Sequence, residues 1–149
     1  MIYADTSFIS SCYVDDTHSE TAVSYLEKQR PRLPFIFLHW PELAKAVTAA
    51  SPDAAADWEA IKTDMQAGEK LCAAAVDADR VGKRAAGLLR NFYPRWNSLR
   101  SLDAMHVAAA VEFGAKTFLS FDSQQRVLAA TQKLEIWPPL SVEEKARLK

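Results

Sequence analysis

A chain of 149 residues, 49% hydrophobic and 25% charged, has the size and composition of one globular domain with a real core. Its formal net charge of −1 excludes coating of nucleic acid by bulk positive charge. No apolar run reaches the roughly 18 residues of a membrane span. Asp5 interrupts a short apolar start and no basic n-region precedes it, so no signal peptide is predicted and a cytoplasmic location is expected. Cys12 and Cys72 lack a CxxC or Cys/His pattern, which argues against zinc and a disulfide framework. They read as small hydrophobes.

Residues 1–4 predict a short strand, and Thr6 or Ser7 can cap a helix to about Tyr13. After the turn at 15–19 a second helix carries Ala22, Tyr25 and Leu26 on one face, and Pro31 and Pro34 bracket its exit. A second buried strand is predicted over 35–38, followed by a helix with Pro41 and Glu42 in its first turn. Ala-rich helices run to about Ala50 and over 52–68, and 70–76 can hold a short strand. A helix over 77–92 stops near Pro94. Ser101 is the expected cap of the next, with Gly114 as its stop. A strand at 117–121, a helix at 123–132 and a strand at 134–137 complete a unit closed by Pro138-Pro139, and the tail 141–149 reads as helical or frayed. The alternation implies an α/β fold with a parallel sheet covered on both faces. No repeat or linker divides residues 1–140.

Four acids stand beside apolar runs. Asp5, Glu42 and Asp122 each follow the carboxyl end of a predicted strand, and Asp103 lies in the first turn of a predicted helix. In open α/β sheets that end of the strands is where ligands bind. Any one acid there can be a helix cap, but four suggest a common pocket. Clustered carboxylates repel, and Mg²⁺ or Mn²⁺ relieves the conflict because these hard cations prefer oxygen ligands. Between Arg80 and Leu102 there is no acid but six basic residues, including Arg84, Arg90, Arg95 and Arg100, with Phe92, Tyr93 and Trp96 interleaved. Such a stretch either tracks a phosphate backbone while its aromatics stack on bases, or is the solvated face of a helix. His106, one turn after Asp103, is either a partner of that acid or a packing residue. His18 and His39 read as structural or exposed.

Tyr3-Ala4-Asp5-Thr6-Ser7, Pro41-Glu42-Leu43-Ala44, Leu102-Asp103-Ala104-Met105-His106 and Leu119-Ser120-Phe121-Asp122 together resemble the PIN-domain ribonucleases, in particular the VapC-type toxins of toxin–antitoxin pairs. The resemblance spans about residues 1–140. It implies a three-layer fold of about five parallel strands with helices on both faces, and divalent-metal-dependent hydrolysis of RNA, structured RNA such as tRNA included. It also implies Asp5 and Asp103 as principal metal ligands, with Glu42 and Asp122 completing the pocket. Ser120, standing where Thr is common, would orient Asp5 or a water. A small antitoxin partner and a homodimer follow from the same resemblance. Ser123-Gln124-Gln125 departs from the family, which often places Phe after the fourth acid. His39-Trp40 is bulkier than usual. An inactive RNA- or protein-binding PIN-like module is one alternative. An aspartyl-phosphate domain is another, but Thr6-Ser7-Phe8 lacks the second acid it needs.

Overall fold

The computed structural model describes residues 1–149. In chain order the elements are β1 (Ile2–Ala4), α1 (Thr6–Tyr13), α2 (Ser19–Gln29), β2 (Leu33–Phe35), α3 (His39–Ala50), α4 (Ala54–Ala67) and β3 (Leu71–Ala73). They continue as α5 (Ala78–Phe92), α6 (Ser101–Glu112), β4 (Thr117–Leu119), α7 (Ser123–Thr131), β5 (Glu135–Trp137) and α8 (Val142–Arg147). No helix is long and apolar enough to cross a membrane. The chain packs as two compact units, Ala4–Ala75 and Met1–Tyr3 with Val76–Lys149. The five predicted strands are all present, hydrogen-bonded as a three-stranded sheet in the order β1-β4-β5 and a two-stranded sheet β2-β3.

In the unit Ala4–Ala75, β2 and β3 run parallel with Leu33 opposite Leu71 and Phe35 opposite Ala73. Phe8, Ile9, Leu33, Phe35, Leu43, Val47 and Ile61 are its buried core. The second strand ends earlier than the sequence predicts, and the cause is local. The Ile36 N–H donates to His39 Nδ1 at 3.0 Å, and its carbonyl accepts the His39 N–H at the same distance, which folds residues 36–38 into the turn that opens α3. Leu33 and Phe35 direct their backbone groups to β3, so Pro34 faces the other edge, where it supplies no donor.

In the other unit β4 and β5 pair in parallel, Phe118 opposite Ile136. Ala104, Val107, Ala108, Ala109 and Ala110 of α6 are fully buried, which explains its run of small apolar residues without a polar stripe. Gly114 ends that helix in the left-handed conformation at φ +70°, while the Ala115 N–H reaches back to the Ala110 carbonyl.

Two predicted caps move by one residue, each onto or beside an acid. Asp5, not Thr6 or Ser7, caps α1. Arg100, not Ser101, precedes α6 and donates its N–H to Asp103. Extended backbone at Asp5 and Arg100 lets each carboxylate close a short ring with an otherwise orphaned N–H, and a carboxylate complements the helix dipole better than a hydroxyl.

Residues 142–147, for which the sequence allows helix or fraying, form α8 under a Ser141 cap. Arg126 on α7, only 6% exposed, pairs through two nitrogens with Glu144 at 2.8 and 3.0 Å. The same guanidinium donates to the carbonyls of Ser120 and Pro139. Burial pushes the Glu144 carboxyl up, but the Arg126 hydrogen bonds, the Ser141 N–H and the Arg126 charge together hold it below the ordinary carboxylate range. A lowered carboxyl contributes stability that is present above its unfolded value and is lost as pH falls through its folded value. Wild-type protein is therefore expected to lose part of its stability between those two points. Glu144→Gln is expected to be less stable at pH 7 by about 3 kcal/mol, the cost of leaving a buried guanidinium without its counter-charge, and to show a flatter acid dependence. Denaturant unfolding at several pH values measures both, and an unchanged midpoint at pH 7 would refute the clasp.

Candidate active site

Asp5 is fully buried at the start of α1. Its carboxylate accepts the Ser7 hydroxyl at 2.7 and 2.9 Å and the Phe8 N–H at 3.0 Å. Three contacts from a single turn satisfy the group although it lies out of water. Next along the helix, the Thr6 hydroxyl donates to Glu42 Oε1 at 3.0 Å, which ties the first turn of α3 to the first turn of α1. His39 secures the same region. Because its Nδ1 accepts the Ile36 N–H, the proton must sit on Nε2, which donates to the Ala4 carbonyl at 2.9 Å. The residue read as structural or exposed is a buried, neutral histidine bonded one position before Asp5.

In the other unit Asp103 is 1% exposed in the first turn of α6. Its Oδ2 accepts the Arg100 N–H at 2.9 Å, and its Oδ1 accepts the Gln125 amide at 3.2 Å. Asp122 caps α7, Oδ1 accepting the N–H groups of Gln124 and Gln125 at 2.8 and 3.1 Å. The Ser120 hydroxyl accepts the Asp122 N–H at 2.9 Å, fixing the turn that carries this acid. The Arg100 guanidinium reaches both carboxylates, 3.5 Å from Asp103 and 3.6 Å from Asp122. It is mostly solvent-exposed, so its worth lies in charge balance more than in stability. Two of the four acids lie in each unit, and no three Asp, Glu, His or Cys side chains are grouped as metal ligands.

His106 is fully buried, and its Nδ1 lies 2.8 Å from the Tyr3 hydroxyl. It joins β1 to α6 one turn beyond Asp103.

Most of the basic stretch is engaged. Arg84 and Arg80 pair with Glu112 at 2.7 and 3.0 Å. Glu112 is held below the ordinary range, chiefly by the Arg84 hydrogen bond. The Arg95 guanidinium lies over the Trp96 ring and donates to the Arg147 carbonyl, and Phe92 stacks on Trp96 at 5.1 Å. Arg90 and the half-exposed Tyr93 border an open hollow of about 390 Å³ with Pro94, Leu99 and Ser101.

A second hollow, of about 420 Å³, lies within the unit Ala4–Ala75, where Cys12, Tyr13, Val23, Leu26 and Pro31 line it. Burial pushes the Cys12 thiol up to about 12, so it supplies bulk and no nucleophile. Of the early aromatics, Phe8 is core, while Trp40 packs edge-on against Phe35 and Trp58.

A family model described as PIN domain matches residues 2–131. The chain belongs to the PIN-domain family. This PIN domain is similar in structure to VapC20 of Mycobacterium tuberculosis, with a TM-score of 0.68 at 18% identity over 88% of this chain and 95% of that one. It is also similar to VapBC2 of Rickettsia felis, with a TM-score of 0.66 at 14% identity over 91% of this chain and 97% of that one. For VapBC-1 of nontypeable Haemophilus influenzae the TM-score is 0.64 at 13% identity, over 91% and 96% of the two chains. No curated protein matches the sequence. At these identities the likeness is one of fold.

Sequence patterns had marked the four acids but not their holders. Ser7 and Thr6 were legible only as cap candidates. Gln125 had one signal, an amide at a position of α7 flanked by the buried Arg126, Val127 and Leu128.

Proposed function

We propose that this PIN domain is a divalent-metal-dependent endoribonuclease and the toxin of a type II toxin–antitoxin pair. The observation that carries the reading is that Asp5, Glu42, Asp103 and Asp122, in the order of the family motifs, all stand at or in the first turn of a helix. Each is held there by dedicated N–H or O–H donors. The positive end of a helix dipole favours the ionised carboxylate, which is the form a cation requires. The donor set fits a hard ion: it is all oxygen, from carboxylates and hydroxyls, with no thiol or imidazole among the four. Asp5 and Asp103 would be the principal ligands, with Glu42 and Asp122 completing the set.

A bound Mg²⁺ or Mn²⁺ supplies an activated water and stabilises negative charge on the phosphodiester oxygens. The chain's own part is orientation. Ser7 and the Phe8 N–H orient Asp5, Thr6 turns Glu42, and Ser120 fixes the backbone at Asp122. Arg100 balances the charge of Asp103 and Asp122 and is placed to meet an incoming phosphate. Arg90 and Tyr93, beside their open hollow, are the pair best placed to hold an RNA strand by charge and stacking, whereas Arg84 and Arg95 are engaged in the fold.

Two further observations support the biological reading. VapC20 is described as a sarcin-ricin loop cleaving toxin, which favours structured RNA as the substrate class. VapBC2 and VapBC-1 are toxin–antitoxin assemblies, which favours an antitoxin as partner. The hollow beside Tyr13, Val23 and Leu26 suits one apolar edge of an antitoxin helix.

Purified protein is expected to cleave an RNA pool with Mg²⁺ or Mn²⁺ and not with a chelator. Asp5→Asn and Asp103→Asn are expected to lower the rate by at least about 100-fold with unchanged circular dichroism. A co-expressed antitoxin should suppress the activity. Cleavage unaffected by chelation and by both substitutions would refute the reading. Separately, Arg90→Glu is expected to weaken RNA binding and reduce the log–log salt slope by about one unit. Equal slopes for variant and wild type would remove Arg90 from the interface.

A further inference from the structure

Gln125 occupies a costly position. It is 5% exposed on α7, its Nε2 donates to Asp103 Oδ1 at 3.2 Å, and its Oε1 is buried without a hydrogen-bond partner. Turning the amide over would set its oxygen against the carboxylate and strand the nitrogen instead, so either orientation leaves one buried polar atom unpaired. Leaving such an atom unmatched destabilises a fold, and an apolar residue of the same size would remove the penalty. The neighbours Val127, Leu128 and Ala129 show that this stretch of helix packs as core.

The amide has one identified bond, and it goes to a candidate ligand. Asp103 has one oxygen on the Arg100 N–H and the other on Gln125. With a single donor, the carboxylate could turn about its Cβ–Cγ bond. Donors on both oxygens block the turn, because any rotation breaks one of the two bonds. The Arg100 N–H belongs to the helix cap and comes with the backbone, whereas the Gln125 amide depends on the side chain at that position.

We infer that Gln125 is a positioning residue that locks the Asp103 carboxylate in the orientation required for divalent-cation binding. The inference rests on the metal-dependent reading of the four acids. It assigns the buried amide a role in cation affinity, in place of a role in stability. Its signature is a separation of the two quantities: loss of the amide weakens cation binding while the cation-free fold remains as stable as before or becomes more so.

The test is titration of the RNA-free protein with Mn²⁺ by calorimetry, together with thermal unfolding in chelator. Gln125→Met keeps the length and bulk without the donor. It is expected to bind Mn²⁺ about tenfold more weakly, as is common when a group that orients a metal ligand is removed. Its melting temperature in chelator should be equal to or above that of wild type, and excess Mn²⁺ should restore its RNA cleavage. Mn²⁺ affinity within twofold of wild type would overturn the assignment, as would loss of native circular dichroism, which would make Gln125 a folding residue. Asp103→Asn is the control. If Asp103→Asn abolishes binding but Gln125→Met does not alter it, only the role of Gln125 fails. If Asp103→Asn binds Mn²⁺ like wild type, the metal-dependent reading itself fails.

Discussion

Accommodating a carboxylate out of water is the constraint on which the rest of this structure depends. Asp5 and Asp103 are buried as completely as the core leucines, and the penalty for an isolated charge there exceeds what a fold of this size can spare. Each unit answers with the same device. A short strand, or an extended residue after a loop, delivers the acid to the first turn of a helix. There the free N–H groups and the dipole offset the lost hydration. Neighbouring groups then complete the arrangement: Ser7 for Asp5, the Arg100 N–H for Asp103, Ser120 and two backbone N–H groups for the turn at Asp122.

This solution governs the surrounding packing. His39 spends both ring nitrogens on backbone groups, one of them directly ahead of Asp5. Arg126 spends its guanidinium on Glu144 and on the Ser120 carbonyl, so the C-terminal helix α8 is fastened to the segment that carries the fourth acid. Stability and site geometry are coupled through these groups. The buried ion pair contributes to stability mainly because neither partner can be left alone.

The acids were legible in the sequence because apolar runs frame them, and a carboxylate at the edge of such a run needs an explanation. Strand and helix order was legible for the same reason, down to the weak third strand at Leu71–Ala73. What escaped were pairings between distant residues. Nothing near Arg126 in sequence announces Glu144, and nothing near Gln125 announces Asp103. The stretch from Arg80 to Arg100 illustrates the same blindness. Its lack of acids suggested a free basic face, yet Glu112, 28 residues beyond Arg84, takes up two of its arginines. The second strand was placed too late because Ile36-Phe37-Leu38 has strand propensity, which the His39 ring overrides by claiming the Ile36 N–H.

On this reading the helix-start carboxylates are there to bind a hard divalent cation. Anomalous scattering from a crystal soaked in Mn²⁺ tests it most directly. The expected result is a manganese peak on a carboxylate oxygen of Asp103, absent from an Asp103→Asn crystal. A fully soaked crystal with no peak at these residues, or with manganese bound only elsewhere on the chain, would contradict it.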